Sequence, residues 1–352
     1  MTGPGDSIIE RVDQALTTFL DERGRALARV GDDLAPVAEA ARAFVLDGGK
    51  RLRPTFAYWG WRSVATHPDD DSALVTAAAA LELLHACALV HDDVMDASAT
   101  RRGRPSAHAA FAELHRSSGF TGSADSFGAA AAILLGDLLL SWADAMFASA
   151  NLGVASRSVW DGMRELVMAG QYLDVLVQAR GAYSADDALR VAMYKTSKYT
   201  VEGPLHFGAA AAGADSATLV ALTEYGIPLG EAFQLRDDVL GVFGDPSRTG
   251  KPAGDDLREG KRTLLVALAM DAADERQAGL LRTHLGSGAS LDDATIAELR
   301  SVIVDTGALD DVEKRISRRA VEAQQALTSS AIAADARPPL ESLIIAATDR
   351  TT

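Results

Sequence analysis

One cysteine, Cys87, stands in a chain of 352 residues. That excludes an intrachain disulfide framework and a zinc site built on several cysteines, and it fits a reducing compartment. Positive charge is also scarce: 34 Lys and Arg face 49 Asp and Glu, a formal net charge of −15. Nucleic-acid binding depends on neutralising phosphates with Lys and Arg, so no nucleic-acid partner is expected. Residues 1–14 carry acidic side chains and lack the apolar core of a secretory signal, so the expected location is cytoplasmic. No Pro/Gly/Ser stretch is long enough to serve as an interdomain linker, and a single domain over residues 1–352 is expected. Residues 117–128, rich in Ser and Gly, read as a loop, and no internal repeat is found.

Strand-like alternation is scarce as well, whereas Ala and Leu abound, so the chain reads as all-α. Apolar content of 48% is ample for a large core. Residues 74–91 are apolar on nearly all sides, interrupted only by Thr76, Glu82 and His85. Residues 129–147 are similar, interrupted by Asp137 and Asp144. Helices apolar all round lie in the core of a large bundle or in a membrane. The embedded Asp, Glu and His argue against a membrane span, leaving a helical bundle with buried central helices.

Two acidic blocks each follow an apolar helical run: Asp92-Asp93-Val94-Met95-Asp96, and Asp237-Asp238 with Asp245 beyond. Residues four apart share a helix face, so Asp92 and Asp96 point the same way with Asp93 offset. Like charges at that spacing destabilise a bare helix, and a hard dication would reverse the sign. Mg2+ usually shares its shell with waters and substrate phosphates, so a phosphorylated substrate is expected between the blocks. A lone motif of this kind is more often a solvated helix end; the cationic motifs decide the matter here. They are Gly48-Gly49-Lys50-Arg51-Leu52-Arg53-Pro54, Arg101-Arg102-Gly103-Arg104-Pro105, Tyr194-Lys195-Thr196-Ser197-Lys198 and the stretch from Gly250 to Arg262. Glycine pairs let the backbone approach a ligand, and Lys and Arg donate to phosphates. The first motif is not a P-loop, which needs GxxxxGK[ST] before a helix.

With Gly170-Gln171-Tyr172-Leu173-Asp174 and Gln234 added, these motifs span about residues 45–265 in an order and spacing that resembles the trans-isoprenyl diphosphate synthases, or polyprenyl synthetases. The resemblance implies an isoprenoid-synthase-type helical bundle around an active-site cavity, acting as a homodimer. It implies Mg2+-dependent condensation of isopentenyl diphosphate with an allylic diphosphate. By it, Asp92 and Asp96 hold two Mg2+ ions with Asp93 in support, and Asp237 holds a third with Asp238 nearby. Arg101, Lys195, Lys251 and Lys261 bind the allylic diphosphate; Lys50, Arg53, His85 and Arg102 bind isopentenyl diphosphate. Gln171, Thr196 and Gln234 turn oxygens toward the allylic cation. No protein nucleophile is required, in keeping with the lack of a Gly-x-Ser-x-Gly elbow.

Individual residues also have plainer readings. His91 and Tyr194 read as packing residues, Glu82 as the neutraliser of a nearby cation, and Gln171 and Asp174 equally well as an ordinary buried polar pair. One position departs from the pattern. Many members carry a third Asp four residues after Asp237, where this chain has Gly241, and Asp245 is the expected partial substitute.

The growing prenyl tail is expected along Ala88, Leu84 and Leu81, with Cys87 beside Ala88. In short-product relatives an aromatic residue four or five positions before the first Asp closes this path; here both are small. One helical turn rises about 5.4 Å, roughly one isoprene unit. Geranylgeranyl diphosphate (C20) is therefore expected over farnesyl (C15), with longer products as the alternative. Three rivals fare worse. A class I terpene cyclase needs an Asn-led second metal motif, yet Asn151 is the only Asn and Val159 stands where its Glu belongs. A di-iron bundle needs two Glu-x-x-His motifs, and only Glu82–His85 qualifies. A regulatory subunit of a heteromeric synthase has only Gly241 in its favour.

Overall fold

The computed structural model describes residues 4–64, 70–180, 184–245, 254–286 and 291–348. The described chain is helical except for one two-stranded hairpin, in agreement with the all-α reading. It forms two compact units, one of residues 1–158 with 204–214 and one of residues 159–203 with 215–352. The chain leaves the first unit inside the continuous Val154–Arg180 helix, so no linker marks the passage in the sequence.

In the first unit, Ile8, Val12, Leu16 and Leu20 recur every four residues on the Pro4–Ala28 helix and are buried, as an amphipathic stripe requires. That helix packs on the Ser72–Met95 helix, which also packs against Leu52–Arg62 and Ala124–Ser149. Ser72–Met95 is the buried central helix expected from its composition, with Leu74, Leu81 and Leu83 within the core. Ala124–Ser149 departs from that expectation. One face is buried through Leu135, Leu139 and Trp142, while Ile133 and Leu134 are exposed and Asp137 lies on the open side. It also begins inside the expected loop: the Ser123 side chain accepts from Ser126 N and caps the helix, so the true connection is residues 118–123. Both long helices are apolar enough to cross a membrane, but the Ser72–Met95 window is 72% buried in the protein and the Ala124–Ser149 window 39%.

The second unit is built on the Ser216–Phe243 helix. It packs against a π-helical segment, Ala192–Glu202, and against Leu264–Ala272, Ala308–Ala326 and Arg337–Thr348. Its core joins Leu235, Val239 and Val242 to Leu257, Leu265, Leu299 and Ile316. Arg236 ties the C-terminal helix in place, donating to Thr348 O at 2.8 Å and through both Nη atoms to Glu313 at 2.6 and 2.8 Å.

Candidate active site

In the first unit the central helix delivers the acidic block at its C-terminal end. Asp96 is the residue after its last turn and donates its N–H to Asp92 O at 2.8 Å. Asp92 and Asp96 are partly accessible, whereas Asp93 is fully buried. Asp93 Oδ1 accepts from Arg101 through Nε at 2.9 Å and through Nη2. The same Nη2 lies 3.8 Å from Asp92 Oδ2. Asp93 thus anchors an arginine.

A tight hairpin aims the two arginines. Thr100 pairs with Pro105 and Arg101 with Arg104, leaving Arg102 and Gly103 as the two turn residues, with φ 53° and 72°. A two-residue type I′ turn requires φ > 0 at both, free for glycine but costing Arg102 about 1 kcal/mol. Arg101 reaches Asp93, while Arg102 donates from Nη1 to Asp47 O at 3.0 Å, beside the Gly48-Gly49 loop. A side chain on Gly49 (φ 103°) would stand 3.3 Å from Arg51 Nη1 and 3.6 Å from Arg102 Nη2.

Arg51 is buried and donates to Glu82 Oε2 at 2.8 Å and Asp13 Oδ1 at 2.7 Å, tying the loop to two helices. Glu82 therefore neutralises a cation, as expected. Around His85, burial and then the charges of Arg53, Arg102, Arg101 and Arg51 push the imidazole well below its ordinary value, so it is neutral at pH 7. The structure thus gathers Arg53, His85 and Arg102 beside the glycine pair, with Lys50 exposed on the same loop. His91 packs as expected. Its Nε2 lies 3.1 Å from Ile133 O, and its ring fills the space that a side chain on Gly136 would need. Of the chain-length residues, Leu81, Leu84 and Cys87 are buried and Ala88 half-buried, with Cys87 Sγ 3.8 Å from His91 Nδ1.

In the second unit, glycines let three segments approach closely. A Cβ on Gly170 would stand 2.5 Å from Lys195 N, and one on Gly230 2.5 Å from Ser197 Cα. The π-helical segment is seated against both helices at these points, and such segments recur at functional sites. Asp174 pairs with Lys195, Oδ2 to Nζ at 2.7 Å. Thr196 Oγ1 donates to Gln234 Oε1, and Gln234 Nε2 donates to Asp238 Oδ1 at 2.7 Å. Gln171 stands next to Gly170 on the Val154–Arg180 helix and is half-buried, as is Tyr194 on the π-helical segment. Burial first, and then neighbouring Asp256 and Asp237, push the Asp238 carboxyl up to about 8, so it holds a proton at neutral pH. Asp237 is more open.

Asp245 is exposed past the end of the Ser216–Phe243 helix, so it is not the carboxylate beside position 241. That carboxylate is Asp256, which lies where a side chain on Gly241 would project. Asp256 Oδ1 is 3.0 Å from Lys261 Nζ, as is Glu259 Oε2. Lys251 lies outside the described residues. Neither the π-helical turn nor the contact of Asp256 with Gly241 has a local sequence signature; the glycines at 170, 230 and 241 are the only hints.

Among the described residues no three His, Cys, Asp or Glu side chains form a metal cage. Structural Zn2+ sites and Ca2+ need such cages, whereas Mg2+ takes one or two carboxylates and completes its shell with waters and substrate phosphates. The all-oxygen pair Asp92 and Asp96, and the separate Asp237, fit that requirement.

A model of the polyprenyl synthetase family matches residues 35–303. A geranylfarnesyl diphosphate synthase of Aeropyrum pernix is 36% identical over 82% of this chain and 86% of its own length. A geranylgeranyl diphosphate synthase of Mycobacterium tuberculosis is 33% identical over 81% of this chain and 76% of its own. The solved structure of a Corynebacterium glutamicum geranylgeranyl pyrophosphate synthase, complexed with isoprenyl diphosphate and magnesium, has a TM-score of 0.94 at 40% identity and covers 98% of this chain and 99% of that one.

Proposed function

The chain belongs to the polyprenyl synthetase family and is a trans-prenyl diphosphate synthase, a prenyltransferase; we propose that it releases geranylgeranyl diphosphate from isopentenyl diphosphate and a C5–C15 allylic diphosphate. The observation that carries this reading is the charge layout along Ser72–Met95. His85 lies among arginines that suit a diphosphate bound without metal, and Asp92 and Asp96 at the helix end suit one bound through metal.

In this reading Arg53, Arg102, His85 and Lys50 hold isopentenyl diphosphate. The neutral His85 donates an N–H without adding to an already crowded positive field. Asp92 and Asp96 would hold two Mg2+ ions and Asp237 a third, with the buried Asp238 orienting Gln234 from behind by accepting from its Nε2. When bound, Mg2+ supplies positive charge to the departing diphosphate, a form of electrostatic catalysis. Arg101, Lys195, Lys251 and Lys261 add to that charge. Arg101 has five N–H donors, enough to serve Asp93 and a phosphate together. Gln171, Thr196 and Gln234 face the allylic cation with oxygens; the isopentenyl double bond attacks it, and a proton leaves to the pyrophosphate. Residues 1–352 act as one functional domain, in the cytoplasm, as a homodimer. The exposed Ile133 and Leu134 support self-association.

The family leaves product length open, since the two relatives above are named for products one isoprene unit apart. Small residues at Cys87 and Ala88 support C20. The test is an assay of the purified chain with Mg2+, isopentenyl diphosphate and each allylic partner in turn, reading dephosphorylated products by chromatography. We expect C20 from all three, and about C15 from Ala88→Phe, where the ring blocks the tail. Product of C25 or longer from the wild type, or an unchanged length in the variant, would overturn the assignment. A chain silent until a partner is added would favour the regulatory-subunit reading.

A further inference from the structure

Arg51 breaks two local rules. It stands at the N-cap of the Leu52–Arg62 helix, a place that favours Ser, Thr, Asp or Asn in extended backbone, yet it is left-handed at φ 49° and ψ 38° and its side chain makes no cap. The left-handed region is costly for a residue with a Cβ and persists only where the surroundings hold it. The surroundings here are two carboxylates. Arg51 is 4% exposed, with Nε donating to Asp13 Oδ1 at 2.7 Å and Nη1 to Glu82 Oε2 at 2.8 Å. Its carbonyl accepts from Thr55 N at 3.0 Å and Thr55 Oγ1 at 2.8 Å, so the helix starts directly from the strained residue. Glu82 reaches the neighbouring arginine as well: a Cβ on Gly49 would stand 3.6 Å from Arg102 Nη2 and 3.8 Å from Glu82 Oε2. Asp13 comes from the Pro4–Ala28 helix, 38 positions earlier and outside every motif named above.

We propose that Arg51 is a positioning residue for isopentenyl diphosphate: Asp13 and Glu82 grip its guanidinium, lock residue 51 in the left-handed turn, and so set Lys50 before it and Arg53 after it on the diphosphate. Through Asp13, the N-terminal helix becomes part of that substrate's site. Glycine would meet the backbone requirement without steric cost, so the turn alone does not call for arginine. The side chain adds what glycine lacks, a link from the loop to the central helix, which carries His85 one turn past Glu82. Charge has the same sense. Arg51, Arg53, Arg101 and Arg102 all bear on His85, and Glu82 offsets part of that field beside Arg102.

The proposal rests on the synthase reading above, and its test adds a readout independent of turnover: the rise in melting temperature caused by isopentenyl diphosphate in EDTA. Arg51→Gly keeps the turn and removes the grip. It is expected to raise the KM for isopentenyl diphosphate about tenfold and abolish most of that rise, with the KM for the allylic diphosphate within about twofold of wild type. Asp13→Asn, at a half-exposed position that guards against a misfolded Arg51→Gly, is expected to raise the same KM about threefold, and Asp13→Glu to recover it. Arg11→Gln cuts a different tie of the N-terminal helix, the one to Asp71. It is expected to lower the melting temperature yet leave the KM for isopentenyl diphosphate within about twofold. An Arg51→Gly variant that binds isopentenyl diphosphate as the wild type does would overturn the proposal. So would both KM values rising together, or an Arg11→Gln variant as impaired as Asp13→Asn, since either means general loosening rather than positioning. Failure of the synthase reading shows instead as a wild type that makes no prenyl product.

Discussion

Asp93 and Asp238 each follow another aspartate near the end of a long helix, and both are buried. Their surroundings differ. Asp93 meets the guanidinium of Arg101, whereas Asp238 meets the amide of Gln234 with Asp237 and Asp256 close by. One inner aspartate is answered by a cation and the other by a proton. The shared Asp-Asp spelling therefore hides two arrangements, and in each the outer residue, Asp92 or Asp237, is the more accessible one.

Substitutions at these four aspartates break or sharpen that comparison. The largest expected effects are on the outer residues: Asp92→Asn and Asp237→Asn should each lower kcat/KM by about 10²–10³, the scale on which a preorganised electrostatic group acts. Asp92 should cost more, since it works with Asp96. Steady-state kinetics at saturating Mg2+ checks both. Next is Asp93→Asn, which leaves Arg101 only its longer contact with Asp92 and should destabilise the fold by about 3 kcal/mol in denaturant melts. Asp238→Asn should stabilise the fold at pH 7 in the same melts, because the native carboxyl must hold a proton that the unfolded one has given up.

The last prediction concerns pH. An unfolded Asp gives up its proton near 4, whereas native Asp238 keeps it to about 8. Between those values the native state binds more protons, so this group makes stability fall as pH rises from about 4 to about 8, by at most about 1.4 kcal/mol per unit. The decline should level off above 8. Melts in EDTA check this, and Asp238→Asn should flatten the curve in that window.

Much of this was legible in the sequence because apolar content reports burial. The run at 74–91 marked a central helix, and the acidic block at its end marked where charge would collect. The same logic overreached at 129–147, where composition alone does not tell a buried helix from one with an apolar open face. The division into two units left no trace, since the chain crosses inside the Val154–Arg180 helix. In the site, motif residues could be named but their pairings could not. Arg51 with Asp13, Lys195 with Asp174 and Asp256 with Gly241 join residues 15 to 38 positions apart, and only folding brings them together.

The most direct test of the account is a crystal structure of the enzyme with Mg2+ and a non-reactive allylic diphosphate analogue. The account predicts Mg–O contacts of about 2.0–2.1 Å to Asp92, Asp96 and Asp237, with Asp93 still bonded to Arg101. Direct Mg2+ ligation by Asp93, with Arg101 turned away from it, would contradict the account.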